Sequence, residues 1–171
     1  MLNKPSINIP RRAIPVTWGV IVSFIQVILP WLISRMDVNH GWIGSTPGLW
    51  NLLGLLFIAS GIAAYILCLV FHFKTYTGPV RAGMTPPKLV TNGPYQYSRN
   101  PMYVSALFAW CGWTLFLGSI PVMIALVLLG LTFVLYVVPK EEKQLEGLFG
   151  DNYLTYKRAV PRWLGGTINR S

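Results

Sequence analysis

Acidic side chains are scarce in this sequence: five Asp and Glu stand against 14 Lys and Arg in 171 residues, and charged residues make up only 11% of the chain. So little charge, with 53% hydrophobic residues and a mean hydropathy of +0.51, excludes an ordinary soluble domain of this length. Cysteine is as sparse. Cys68 and Cys111 both fall inside apolar runs, without the spacing of a metal site or a disulfide framework, and read as packing residues. The two histidines, His40 and His72, stand alone. No internal repeat or low-complexity tract is present, so residues 1–171 read as one domain. The formal charge of +9 would admit a nucleic-acid partner, but the basic residues are scattered along segments that flank apolar runs. Attraction to anionic lipid headgroups accounts for them instead.

What the sequence has in abundance is long hydrophobic runs. Four are suited to crossing about 30 Å of hydrocarbon: roughly Ala13 to Ile33, Leu49 to Phe73, Met102 to Leu117 and Pro121 to Val138. The expected fold is therefore an all-α membrane protein of four transmembrane helices. Gly118, Ser119 and Ile120 alone separate the last two runs and predict a tight hairpin. The first run is long and has no small-residue cleavage site behind it, so it is expected to stay as a span rather than leave as a signal peptide. Of the 14 Lys and Arg, all but Arg35 lie before the first run, between the second and third, or after the fourth. Positive residues are retained in the cytoplasm, which predicts that both termini and the polar segments face that side.

The polar segments are two. Residues 74–100 are rich in turn formers, among them Gly78-Pro79, Pro86-Pro87 and Asn92-Gly93-Pro94, and read as an ordered irregular loop. The tail is expected to begin where Pro139 ends the fourth span. It continues as an amphipathic helix carrying Leu145, Leu148 and Phe149, with Gly150 as its cap and Asp151 as N-cap of a second helix.

Candidate chemistry lies where these segments meet the membrane. Asn100-Pro101 reads as an N-cap followed by Pro at the first helical position, and the free amides of that turn, with Arg99 beside them, make a local anion site. The same residues also fit a plain helix start with an anchoring arginine. Glu141 and Glu142 are two of the five acidic residues and follow directly on a span, as either a solvated helix start or carboxylates paired with a cation. Tyr95, Tyr97 and Tyr103 offer faces for a cationic ligand, or an interfacial aromatic belt. Together these groups suit a zwitterion with an additional positive centre, a description that S-adenosylmethionine meets among other ligands.

The segments Lys88-Leu89-Val90-Thr91-Asn92-Gly93-Pro94-Tyr95 and Arg99-Asn100-Pro101-Met102-Tyr103, then Glu141-Glu142, Phe149-Gly150-Asp151-Asn152-Tyr153, Tyr156 and Val160-Pro161-Arg162, closely resemble the isoprenylcysteine carboxyl methyltransferases and the related phospholipid N-methyltransferases. The resemblance covers roughly residues 87–163. It implies an S-adenosylmethionine site formed by Lys88, Leu89, Val90, Tyr95, Asn100, Pro101, Met102, Tyr103 and Glu141. There Glu141 would take the ammonium of the methionine moiety, and the start of the third span its carboxylate. In two places the sequence departs from the pattern. The family's histidine is Asn100, which hydrogen-bonds but cannot titrate near neutral pH. The substrate-binding arginine of the isoprenylcysteine enzymes is Val137, which cannot pair with a carboxylate.

The implied reaction is in-line methyl transfer to a lipid or lipid-like amine, carboxylate or thiol, with positioning and exclusion of water supplying most of the rate. Glu142 is the nearest candidate base for an amine, and Arg99 is placed to orient an anionic substrate group. No metal and no obligate protein partner are expected. Two rivals are a sterol-type membrane reductase using NADPH, for which no arginine cluster suited to a 2′-phosphate is seen, and a non-enzymatic membrane scaffold. Ion conduction fits poorly, because the spans contain almost no polar residues to line a pathway.

Overall fold

A computed structural model describes residues 21, 24–75 and 88–165, and these are mostly helical. Helix α1 (Phe24–Ser34) begins with a π-helical stretch and is followed by a two-stranded antiparallel hairpin of β1 (Trp42–Ile43) and β2 (Thr46–Pro47). Then come α2 (Leu49–Thr75), a 3-10 turn (Gly93–Gln96), α3 (Pro101–Leu117), α4 (Ile120–Phe149) and α5 (Asp151–Ala159).

Two of these helices, Leu49–His72 within α2 and the whole of α4, are long and apolar enough to cross a membrane by length and composition. Their large apolar side chains point outward, with Leu56 68% and Leu135 72% exposed, which is the opposite of a soluble core helix. Helices α1 and α3 are apolar but shorter. Much of the predicted first span lies outside the described residues. Helix α3 stops at Gly118, whose φ of +57° is the left-handed conformation that glycine accepts without strain, and Ser119 alone then separates Gly118 from α4. The predicted hairpin is present.

Helices α2 and α3 pack against each other along their length. The contact is backbone to backbone: a Cβ added to Gly61 would fall 2.5 Å from the Ala109 amide nitrogen, and one on Gly112 2.5 Å from that of Ile58. Small residues that admit close backbone approach are the usual means of joining helices where lipid removes the hydrophobic driving force. At the end of the bundle where α3 stops, Asn51 donates to the carbonyls of His40 (3.1 Å) and Leu115 (3.0 Å), and Trp42 Nε1 donates to Phe116 O (2.9 Å).

Two boundaries differ from the sequence reading. Pro139 does not end the fourth helix, which runs on to Phe149. The turn before it, Phe133–Val137, is π-helical, and the Val138 amide bonds five residues back to Phe133 O. That wider turn gives room for the proline ring, and the missing proline N–H falls where the hydrogen-bond register changes. Asp151 is the first residue of α5 rather than its cap, a position Gly150 fills with φ +49°. In the first turn its carboxylate still opposes the helix dipole favourably.

Candidate functional site

The polar residues gather at the other end of the bundle, where α2 ends, α3 starts and the polar part of α4 passes by. Asn100 occupies the cap position of α3, but its side chain does not cap. Its carbonyl accepts from the Val104 amide (3.2 Å), while its Nδ2 donates to the Arg162 carbonyl (3.0 Å). Ser98 Oγ donates to the same carbonyl (3.3 Å), and the Arg99 amide donates to Pro161 O (2.9 Å). The chain beyond α5 is thus sewn to the residues that start α3.

Side chains reinforce that seam. Arg99 Nη1 donates to Glu142 Oε1 (2.8 Å), and both side chains are buried, at 8% and 6% exposure. Arg162 meets the same carboxylate as a fork, Nε to Oε1 at 3.0 Å and Nη2 to Oε2 at 2.6 Å. Lys157 Nζ lies 4.0 Å from Glu142 Oε2 and also pairs with Glu146. The Glu142 carboxylate accordingly raises the Arg162 pKa through its hydrogen bonds. A lone carboxylate at 6% exposure would be costly, and two guanidiniums explain how it is tolerated.

Under the ion pairs lies an aromatic and aliphatic cluster of Tyr153, Tyr156 and Val160, with Leu89 and Phe149 packed against it. Tyr156 donates from its hydroxyl to Tyr95 O (2.6 Å), and Tyr153 Oη accepts from Arg99 Nη1 (3.4 Å). Burial pushes both phenols above their ordinary pKa. They therefore stay neutral, Tyr156 as a donor, throughout the physiological range.

One turn along α3 from Arg99, Tyr103 reaches α4 twice. Its hydroxyl donates to Glu141 Oε1 (2.7 Å), and its ring lies 4.5 Å from that of Phe133, centroid to centroid. Tyr65 and Tyr95 are near enough to Tyr103 to interact with it electrostatically. Glu141, unlike Glu142, is exposed.

The structure therefore brings the residues singled out in the sequence into two adjacent groups, Arg99 with Asn100 and Glu142, and Tyr103 with Glu141. Leu89 and the backbone of Tyr95 meet the tail cluster, Val90 and Pro101 are buried, Met102 is half-buried and Lys88 is exposed. Arg99 and Glu142, read separately as an anion-orienting group and a base, are each other's partners. Ser98, Tyr153, Tyr156 and Arg162 carry polar contacts that the sequence reading assigned to no role. One donor at the seam has no acceptor: the Nε of Arg99 is buried and unpartnered among the described residues. Such a group is costly unless something else completes its hydrogen bond.

Comparison with known proteins places these features in context. The family model described as phospholipid methyltransferase matches residues 48–152. A methanethiol S-methyltransferase from Crocosphaera subtropica is 37% identical over 150 residues, which cover 84% of this chain and 46% of that enzyme. An uncharacterized protein of Haemophilus influenzae is 38% identical over 63 residues, 37% of this chain and all of that shorter protein. This chain thus spans about half the length of the curated enzyme it matches. No solved structure gives a significant match.

Proposed function

The chain belongs to the phospholipid methyltransferase family, and from that premise we propose that it transfers the methyl group of S-adenosylmethionine to a small apolar thiol at the cytoplasmic face of a membrane. In this reading residues 13–33, 49–73, 102–117 and 121–138 are four spans, both termini are cytoplasmic, and segments 87–103 and 139–163 form the cofactor site.

The observation that carries the proposal is the adjacency of the seam and the Tyr103–Glu141 pair, which together offer an exposed carboxylate on Glu141, aromatic rings around Tyr103 and an unpartnered buried guanidinium N–H on Arg99. Glu141 would take the cofactor's ammonium, and Arg99 with the first-turn amides of α3 its carboxylate. The tyrosine rings suit the positive centre. Leu89, Val90, Pro101 and Met102 supply apolar walls, and Lys88 and Asn100 the polar margin. Bound there, S-adenosylmethionine would supply an electrophilic methyl carbon: its bond to the sulfonium would break as the acceptor's sulfur takes the methyl group, leaving S-adenosylhomocysteine, and the thiol proton would pass to solvent.

Glu142 supports the choice of acceptor class. Both of its oxygens are occupied by guanidinium donors, which supports a role in holding the site together over one in accepting a proton. A neutral thiol already carries lone pairs on sulfur and can release its proton to solvent as it is methylated, whereas an ammonium has no lone pair until a proton has left. A thiol acceptor also agrees with what the name of the Crocosphaera relative says that enzyme methylates. The second reading is an aminophospholipid acceptor, favoured by the family description.

The test is calorimetry on detergent-solubilised protein. S-adenosylmethionine is expected to bind, and Glu141→Ala or Tyr103→Ala to weaken it by about tenfold or more, the equivalent of roughly 1.4 kcal/mol for one charge-assisted contact. Absence of binding by folded protein in lipid would refute the methyltransferase reading. Turnover of labelled cofactor with methanethiol but not with phosphatidylethanolamine vesicles would select the thiol; the reverse would select the lipid amine.

A further inference from the structure

We infer that Arg162 is a positioning residue, whose fork on Glu142 keeps the Nε–H of Arg99 free for the carboxylate of the cofactor; the inference rests on the cofactor reading given above. A carboxylate presents two oxygens, and the strongest way for a guanidinium to use them is side by side, with two parallel N–H donors. Two arginines compete here for one such face. Arg162 holds it, with Nε on Oε1 at 3.0 Å and Nη2 on Oε2 at 2.6 Å. Arg99 is left with a single bond from Nη1 to Oε1 at 2.8 Å, and its Nε, though buried, has no partner.

Remove the Arg162 guanidinium and the competition ends. Glu142 is then free to turn both oxygens toward Arg99, whose Nε and Nη groups would form the fork themselves. The donor that reads the ligand carboxylate would be consumed inside the protein. The main chain at Arg162 does not depend on this fork, because its carbonyl accepts from Asn100 Nδ2 (3.0 Å) and Ser98 Oγ (3.3 Å), and Pro161 O accepts from the Arg99 amide (2.9 Å). Substitution at Arg162 should therefore leave the tail docked and change how one carboxylate is shared.

The distinguishing probe is a ligand with and without the carboxylate. Affinities of S-adenosylmethionine and its decarboxylated analogue would be measured calorimetrically for the wild type, Arg162→Ala and Arg162→Lys. The wild type is expected to favour the carboxylate-bearing ligand by about tenfold or more, the usual scale of one charge-assisted hydrogen bond. Arg162→Ala should lose that preference while binding the analogue as the wild type does. Arg162→Lys keeps the charge but not the fork, and should lose most of it too. Equal weakening of both ligands in Arg162→Ala would mean that Arg162 only packs the tail, and would overturn the inference. The ligand-free protein gives an independent reading: the nitrogen-15 resonance of Arg99 Nε, assigned by its loss in Arg99→Lys, should move in Arg162→Ala as that group gains a carboxylate partner. An unmoved resonance overturns the inference. If the wild type binds neither ligand, the cofactor reading falls, and this resonance alone decides whether Arg162 governs Arg99.

Discussion

Replacing Glu142 with alanine is expected to destabilise the protein by about 3–5 kcal/mol, the scale measured when one partner of a buried ion pair is removed. The reason lies in what remains. Arg99 would keep its charge at 8% exposure with no carboxylate in reach, and Arg162 would lose both side-chain acceptors. Seam bonds from Tyr156 to Tyr95 and from Asn100 to Arg162 would still tie the tail down, so the bundle should fold but melt earlier and release residues 150–165 to protease. Glu142→Gln keeps the shape and one acceptor oxygen but loses the charge and turns an NH2 donor toward the guanidiniums, and should fall between wild type and the alanine variant. An alanine variant with the wild-type melting temperature and proteolysis pattern would mean that the cluster contributes little.

The second large effect is steric and sits far from any charge. Gly61→Leu should disrupt the packing of α2 on α3, because the first atom of the new side chain already meets Ala109, 2.5 Å from its nitrogen and 2.9 Å from its Cα. Overpacking of ordinary cores costs about 1–3 kcal/mol, and a clash against backbone, which cannot rotate away, should reach or exceed the top of that range. The measurable result is loss of monodisperse protein in mild detergent. Gly147→Ala in α4 is the control: nothing lies within 4 Å of its added Cβ, and helix propensity favours alanine by up to about 1 kcal/mol. A Gly61→Leu protein as stable as this control would show that the two helices separate at little cost.

Much of the helical plan was legible because lipid imposes a simple rule on sequence. A run of apolar residues must be helical to satisfy its own backbone, so α2, the α3–α4 hairpin and the presence of a polar tail could be read without knowing any contact. Local rules were less dependable. Pro139 reads as a helix stop, yet the π turn at Phe133–Val137 absorbs it, and no local pattern announces that register change. Asn100 carries the residue type of a cap, but its side chain is oriented by the Nδ2 donation to the carbonyl of Arg162, 62 residues away, and its Oδ1 accepts no first-turn amide.

The candidate site divides in the same way. That Arg99, Tyr103, Glu141 and Glu142 mattered was readable from their type and from their place beside apolar runs, where charge is costly. Their pairing was not. Glu141 and Glu142 are neighbours in sequence but project about 100° apart on a helix, so one reaches Tyr103 at the exposed edge and the other enters the seam. Arg162 stands in one of the segments that carry the family resemblance, but neither its type nor its place in the sequence assigned it a role.

By itself the sequence determined a lipid-adapted helical chain, its polar segments and the residue types available for chemistry, because hydropathy and charge act along the chain and need no partner. Only the tertiary structure decided that two arginines share one buried carboxylate, that Tyr103 holds the other glutamate, and that one Arg99 donor is left over, because each of these depends on which side chains the packed helices bring within reach of a given acceptor.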